Sequence, residues 1–473
     1  MKHCVTMIGL VCLAVLVVGM SQNPLAQEEV PTQATETEEL SETEVPEETE
    51  TSATEPPDAN EPEPPSNDQP IAPALVVNIP KITPPEQGYN FPVAVQALSY
   101  NTYSQLAATQ GDANFCFSPQ LLAKQLTALR FGAVGQTAAE VGVVFPFKMP
   151  VPQTAEFLRQ VDASSAKIRE GVQAPPTGAI SQPLPPTFGQ TNAIWVPRDH
   201  PIIEQYITGL KTGLATELYA ADFKSKRDNS ATTVNAWVRD TTGGRLASII
   251  AEPYEISLPD NISIITTGVA CASPRLATPF NRQLSGTNKF QLASGETIDV
   301  PMMRQIGSCM GLGMPNLQIL VMPCIEDNLW FVVLLPATGQ LGTLERSMTP
   351  TTLTQWFSQI QPMVVDVILP KVQLTSGLDL TDTLDNLGMQ TIVSENAELT
   401  NMSQAVEKGT LKMSKFLHAT QVSFVEQTDI PQQQVPQNPV KFYVDRPFVF
   451  LVWNIQTGTP LVVGRITYPQ QAN

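Results

Sequence analysis

Residues 27–75 contain no aromatic residue, and residues 27–70 carry 15 acidic side chains without a Lys or Arg, so this stretch cannot build a core. Its Glu/Thr/Pro texture, as in Thr35-Glu36-Thr37-Glu38-Glu39, combines low hydrophobicity with like-charge repulsion. Burial cannot offset the entropy of ordering such a segment, so residues 22–88 are expected to form a disordered, extended linker. Any folded domain must then lie in 89–473. The same partition accounts for the net charge of −18: removing those 15 acidic residues and Lys2 from totals of 45 and 27 leaves 30 acidic and 26 basic. A folded part so close to neutral presents no basic stripe for nucleic acid or a heparin-like polyanion. The short cluster Lys224-Ser225-Lys226-Arg227, flanked by Asp222 and Asp228, reads as a solvated loop.

Ahead of the linker, Lys2 and His3 precede an apolar run from Val5 to Met20. That run is short for a spanning helix, which needs about 20 apolar residues. Gly19 and Ser21 offer small residues for cleavage, so 1–21 reads as a signal peptide, with an uncleaved membrane anchor as the alternative. Secreted, extracellular or periplasmic placement is expected. Four cysteines remain after 1–21, Cys116, Cys271, Cys309 and Cys324, without CxxC spacing, so the domain is no disulfide scaffold. Cys116, Cys271 and Cys324 sit in apolar runs as buried thiols, and a Cys309–Cys324 bridge stays open. Asn261-Ile-Ser263 and Asn401-Met-Ser403 are glycosylation acceptors if the host glycosylates exported proteins.

Beyond Tyr89 the periodicity becomes helical over Phe91–Ala108, Leu121–Phe131, Thr137–Val143, Pro201–Leu214 and Ser230–Asp240, the last stopped by Gly243-Gly244. A Pro-rich loop is expected at 172–186. Strands are expected at Thr191–Val196, Val364–Leu369 and Phe448–Trp453. Ile319–Pro323 and Leu329–Leu335 read as a hairpin around Glu326-Asp327-Asn328. With one late helix at Leu380–Leu387, the pattern is α+β.

Catalytic chemistry is hard to place. Of three histidines, His3 lies in the signal segment, His200 in a Pro-flanked loop and His418 in an apolar strand. There is no GxSxG, HExxH, Walker or GxGxxG motif, and no grouped metal ligands. The chain reads as a non-enzyme that needs no cofactor.

Several segments, in order, resemble the serpin family. These include Asn114-Phe-Cys-Phe-Ser118-Pro119, Leu129-Arg-Phe-Gly132, Thr191-Asn-Ala-Ile-Trp195-Val196 and Asn235-Ala-Trp237-Val238 with Thr242-Gly243-Gly244. Thr278-Pro279-Phe280, Val300-Pro301-Met302-Met303, Leu369-Pro370-Lys371, Leu387-Gly388-Met389 and Lys415-Phe-Leu-His418 follow. The strongest is Asp445-Arg446-Pro447-Phe448-Val-Phe450, with Thr457-Gly458-Thr459 and Gly464-Arg465-Ile466. The resemblance implies three β-sheets, a cluster of about eight or nine helices and an exposed reactive loop. It also implies protease inhibition: a cleaved loop inserts as a new central strand of the main sheet and traps the protease, a strand-addition process known in general terms. A protein partner is implied, a protease among the candidates, with the chain a monomer. By match, Ser118, Asn235 and His418 lie where the sheet opens, and Glu426 starts the loop. Leu121 stands where the family has a second Ser, and Leu276 where it has a Trp; both are expected to weaken the opening region.

The loop itself departs from the family's inhibitors, which carry Gly, Thr and Ala at the hinge. Here the hinge reads Thr428-Asp429-Ile430-Pro431, followed by Gln434, Val435 and Pro436. Proline has no N–H and is excluded from central strands. Burying an unpaired Asp429 carboxylate is costly. Only 27 residues separate His418 from Arg446, several fewer than inhibitors carry. No Arg, Lys or aromatic residue lies between Glu426 and Val440 to anchor a trypsin- or chymotrypsin-like enzyme. The expectation is a non-inhibitory binding module, with a working serine or cysteine protease inhibitor as the alternative.

Overall fold

A computed structural model describes residues 90–147, 188–223, 227–259, 261–325, 328–404, 411–424 and 438–469, with 154, 155, 158 and 426. The signal segment, the linker and the Pro-rich loop at 172–186 lie outside them, as does most of the reactive loop. Local chemistry starts the first two helices. Asn90 caps α1 (Phe91–Thr109) by accepting from Val93 N–H, with Pro92 in the first turn. Strand β1 (Phe115–Phe117) follows, and Ser118 caps α2 (Pro119–Gly132) by accepting from Leu121 N–H at 3.3 Å. Helix α3 (Gly135–Val144), strand β2 (Phe188–Pro197), helix α4 (Glu204–Leu214) and strand β3 (Thr216–Ala221) come next. Helix α5 (Arg227–Thr241) takes the last residue of the basic cluster into its first turn and ends on Gly243 and Gly244, both at positive φ.

Strand β4 (Ile264–Ala272) has no exposed residue, as expected of a central strand with both faces covered. The chain then runs through β5 (Gly286–Gln291), β6 (Thr297–Met314), β7 (Leu317–Pro323) and β8 (Leu329–Pro336). Two helices that the pattern did not announce, α6 (Leu341–Ser347) and α7 (Pro350–Phe357), intervene before β9 (Gln361–Pro370). Both are too short to display a period, although Thr349-Pro350 is a helix-start signal: Thr349 Oγ1 accepts from Thr352 N–H. Strand β10 (Val372–Asp379), helix α8 (Thr381–Leu387), β11 (Met413–Phe424), β12 (Val440–Tyr443), β13 (Phe448–Asn454) and β14 (Thr459–Ile466) complete the described elements.

The strands form a five-stranded sheet, β10-β11-β4-β2-β3, and a nine-stranded network, β1-β14-β13-β8-β7-β6-β9-β12 with β5 on β6. Where three sheets were expected, two are joined. The 18-residue β6 pairs β9 along Met302–Gly311 and β7 along Met310–Met314, so one strand serves both. In the five-stranded sheet, β11 and β4 are parallel neighbours from Met413↔Ile264 to Val422↔Ala272. Alternation sends Ile265, Val269 and Cys271 of β4, with Leu417 and Ala419 of β11, against Val234 and Val238 of α5. Residues of the opposite parity, Ile264, Ala270 and Ala272, enter the cores shared with α2 and the second sheet. All four described cysteines are buried free thiols, Cys309 and Cys324 among them.

Candidate functional site

The seam between β4 and β11 is where a family member's loop would have to enter. Ser118 and His418 meet there: the Ser118 backbone N–H donates to His418 Nε2 at 3.0 Å. A backbone amide can only donate, so Nε2 is the acceptor and the ring proton sits on Nδ1. Nδ1 in turn donates to Gln125 Oε1 at 2.9 Å. His418 is 0% exposed, and burial lowers its pKa from 6.5 to about 3, which keeps the imidazole neutral. The Ser118 hydroxyl also contacts Gln190 Oε1 on β2 at 3.4 Å.

Gln125 is the residue that sequence reasoning missed. Its Nε2 donates to Leu417 O of β11 at 3.1 Å and to Thr266 Oγ1 of β4 at 3.3 Å, so one carboxamide from α2 bridges both strands and His418. Space for it comes from Gly268, where an added Cβ would lie 2.6 Å from Gln125 Oε1. A signal was present. Gln125 follows Leu121 by four residues and precedes Leu129 by four, a polar side chain on an apolar helical stripe. It also corrects one expectation. Leu121 is apolar and fully buried, and the hydrogen bonding expected to be lost there is supplied one turn later by Gln125. Leu276 is buried in the core and bridges Cys324.

Asn235 lies across the sheet, on α5. Its Oδ1 accepts from Ile249 and Ile250 N–H, and its Nδ2 donates to Ile250 O, all at 3.0 Å. It ties down the segment after α5 and makes no described hydrogen bond with Ser118 or His418. Glu426 sits just past β11, with a side chain 6% exposed, and Lys371 Nζ reaches its Oε2 at 2.8 Å from the turn between β9 and β10. Burial pushes the Glu426 carboxyl up, but hydrogen bonds from Lys371 and Ser285 outweigh it and hold the pKa below the ordinary 4.5. A depressed carboxylate stabilises the fold above pH 4.5, and that contribution fades as pH falls through the lowered value. Lys371→Met is expected to destabilise the domain by about 1.5–3 kcal/mol, the usual worth of a hydrogen bond to a charged group. Urea melts at pH 7 check this, and the difference from the parent should shrink toward pH 3. Thr428, Asp429, Ile430, Pro431, Gln434, Val435 and Pro436 lie outside the described residues.

Among the described residues there is no group of three or more His, Cys, Asp or Glu that could hold a metal ion. No helix among them is long and apolar enough to cross a membrane. The arrangement defines a protein built around a five-stranded sheet with a parallel seam between β4 and β11, latched by side chains from α2. The chain belongs to the serpin (serine protease inhibitor) family, which it matches over residues 93–469. It is similar to Serpin B5 of Xenopus tropicalis, 26% identical over 402 residues that cover 80% of this chain and 99% of that protein. A serpin-like protein of Methanosarcina mazei is 25% identical over 402 residues, covering 82% of this chain and 89% of the relative. Among solved structures, uncleaved ovalbumin superposes with a TM-score of 0.70 at 21% identity, covering 80% of this chain and all of that one. Human thyroxine-binding globulin complexed with thyroxine gives 0.69 at 22% identity, covering 80% and 98%. At these identities the structural likeness speaks for the fold alone.

Proposed function

We propose that this protein is an exported serpin-family member in which strand insertion is impaired, so that it acts as a non-inhibitory binding module. The observation that carries the reading is the hinge sequence, Asp429 and Pro431 within six residues of Glu426. Insertion would place this segment between β4 and β11, which are already paired with each other over all of β4. The incoming strand must replace that ladder with its own amides. Pro431 and Pro436 have none to give, and Asp429 would bring an unpaired carboxylate inside. The His418–Gln125–Thr266 latch adds a further cost to separating the strands. Human thyroxine-binding globulin, solved with thyroxine bound, illustrates that the fold can serve binding. Export rests on the apolar run Val5–Met20, and the partner is taken to be a protein.

The test is incubation of the full chain with a panel of serine and cysteine proteases. Cleavage within 427–437 without an SDS-stable covalent adduct is the expected result, and the melting temperature of the nicked protein should stay close to that of the intact one. An adduct, or a large rise in melting temperature after nicking, would return the protein to the inhibitors.

A further inference from the structure

A second feature lies on the α5 face of the five-stranded sheet and is independent of whether the loop traps. Between the end of α5 and the face of strands β2 and β4 there is a cavity of about 270 Å³. Gly189 and Thr191 of β2 and Val269 and Cys271 of β4 form its floor; these residues are register partners, Gly189↔Cys271 and Thr191↔Val269. Thr242 and Arg245, just after α5, form the other side. Among the described residues, neither Asp nor Glu lines it.

The polar inventory of this cavity is unbalanced. Arg245 Nη1 is buried and has no hydrogen-bond partner among the described residues. Buried donors in folded proteins are nearly always paired, and an unpaired guanidinium N–H is costly, so this one calls for an acceptor. The Thr242 hydroxyl is engaged elsewhere, donating to Val238 O at 2.8 Å and accepting from Leu246 N–H at 3.1 Å, and it makes no bond with Nη1. Next to the floor, Gln421 of β11 stands opposite Cys271 in the register, and its Oε1 is likewise buried without a partner. Cys271 and Gln421 share a parity with Leu417, Ala419 and Val269, which face α5. An orphan cationic donor therefore lines the cavity with Cys271, and an orphan acceptor belongs to the residue paired with Cys271 in the register. Arg245 is near enough to Cys271 for its charge to oppose the upward push that burial gives the thiol.

We propose that this cavity binds a small organic monocarboxylate, with its carboxylate on the Arg245 guanidinium and a hydroxyl-bearing end directed toward Gln421. Three features select that class. A single Arg, with no second cation in the lining among the described residues, balances one negative charge rather than a phosphate dianion. The remaining walls mix threonines and Gln190 with Val269 and a thiol, which suits a partly apolar body with a polar group. The volume falls just under the ~300–1,000 Å³ of drug-sized sites, which limits the ligand to a small metabolite. Such a ligand would join α5 to β4, whose other edge is the seam with β11, and so favour the closed sheet.

The experiment uses the full chain in calorimetric titrations and thermal melts. Lactate, 2-hydroxybutyrate and benzoate are the probes. Lactamide is the neutral analogue, and sulfate and phosphate at matched ionic strength are the inorganic arms. A saturable carboxylate response is expected, with a melting temperature that climbs as ligand is added. Arg245→Gln should weaken binding about ten- to a hundredfold, as loss of a charge-assisted hydrogen bond does. Arg245→Lys should retain part of it, and Arg282→Gln, at an exposed position, should change nothing. If Arg245→Gln does not fold, Thr191→Leu, which fills the cavity from the β2 side, should abolish binding instead. The proposal is overturned if no carboxylate binds saturably, if lactamide, sulfate or phosphate binds as tightly, or if binding survives both Arg245→Gln and Thr191→Leu.

Discussion

Lowering the pH from 6.5 toward 3 is expected to cost the domain about 1.4 kcal/mol of stability per pH unit through His418 alone. In the unfolded chain the imidazole takes up a proton near its ordinary 6.5; in the fold it resists until about 3. Above 6.5 both states are neutral and the group is silent. Below it the unfolded state binds one more proton than the folded state, so stability falls with pH until the folded value is reached. The geometry says what resists. Protonating Nε2 would turn the acceptor of Ser118 N–H into a donor facing a donor, within a wholly buried site. Denaturant melts between pH 7 and 5, above the range where carboxylates dominate, isolate the effect. His418→Gln should be less stable than the parent at pH 7 and flatter in its pH dependence. Parallel pH profiles for the two proteins would overturn the assignment. Because His418 belongs to the latch on the β4–β11 seam, the same titration should loosen the sheet where a loop would enter.

The second large effect is expected at Arg465, on β14. Its Nη1 bonds Glu345 Oε1 at 3.0 Å, its Nε donates to Ala113 O at 3.1 Å, and its Nη2 donates to Gly111 O. The guanidinium carbon lies 4.7 Å from the centre of the Phe115 ring. Tyr103 OH donates to the same Glu345 oxygen at 2.9 Å, and the Arg465 and Glu345 side chains are only 3% and 11% exposed. Arg465→Ala removes the cation and strands a buried carboxylate, which should cost about 3–5 kcal/mol. Arg465→Lys keeps the charge but cannot reproduce the fork of donors, so it should recover only part of that loss. Urea denaturation of the three proteins decides; a loss under about 1 kcal/mol in Arg465→Ala, typical of a surface pair, would show that the cluster is not a buried anchor.

Much of the helical layer was legible because its signals are local. Asn90, Ser118-Pro119 and Gly243-Gly244 act within one turn of the helices they start or stop, so α1, α2 and α5 fall within a few residues of the periodic stretches. The hairpin of β7 and β8 was legible for the same reason, being a short connection between two apolar runs. Helices α6 and α7 were not, since seven or eight residues display barely two turns of pattern. Ser118 and His418 came from a family resemblance rather than from periodicity, and the 3.0 Å contact between them could not be read from residues 300 positions apart.

By itself, the sequence determined which part of the chain can build a core, where its helices begin and end, that prolines occupy the hinge, and which family's motifs run through the domain. Those are properties of composition and near neighbours. Only the tertiary structure decided that β4 and β11 lie side by side, that Gln125 fills the space left open by Gly268, and that Arg245 lines a cavity with its Nη1 unpartnered among the described residues. Parallel pairing and side-chain latching depend on which distant strands share an edge. That choice is set by burial summed over the whole sheet, which leaves no mark on any local stretch of residues.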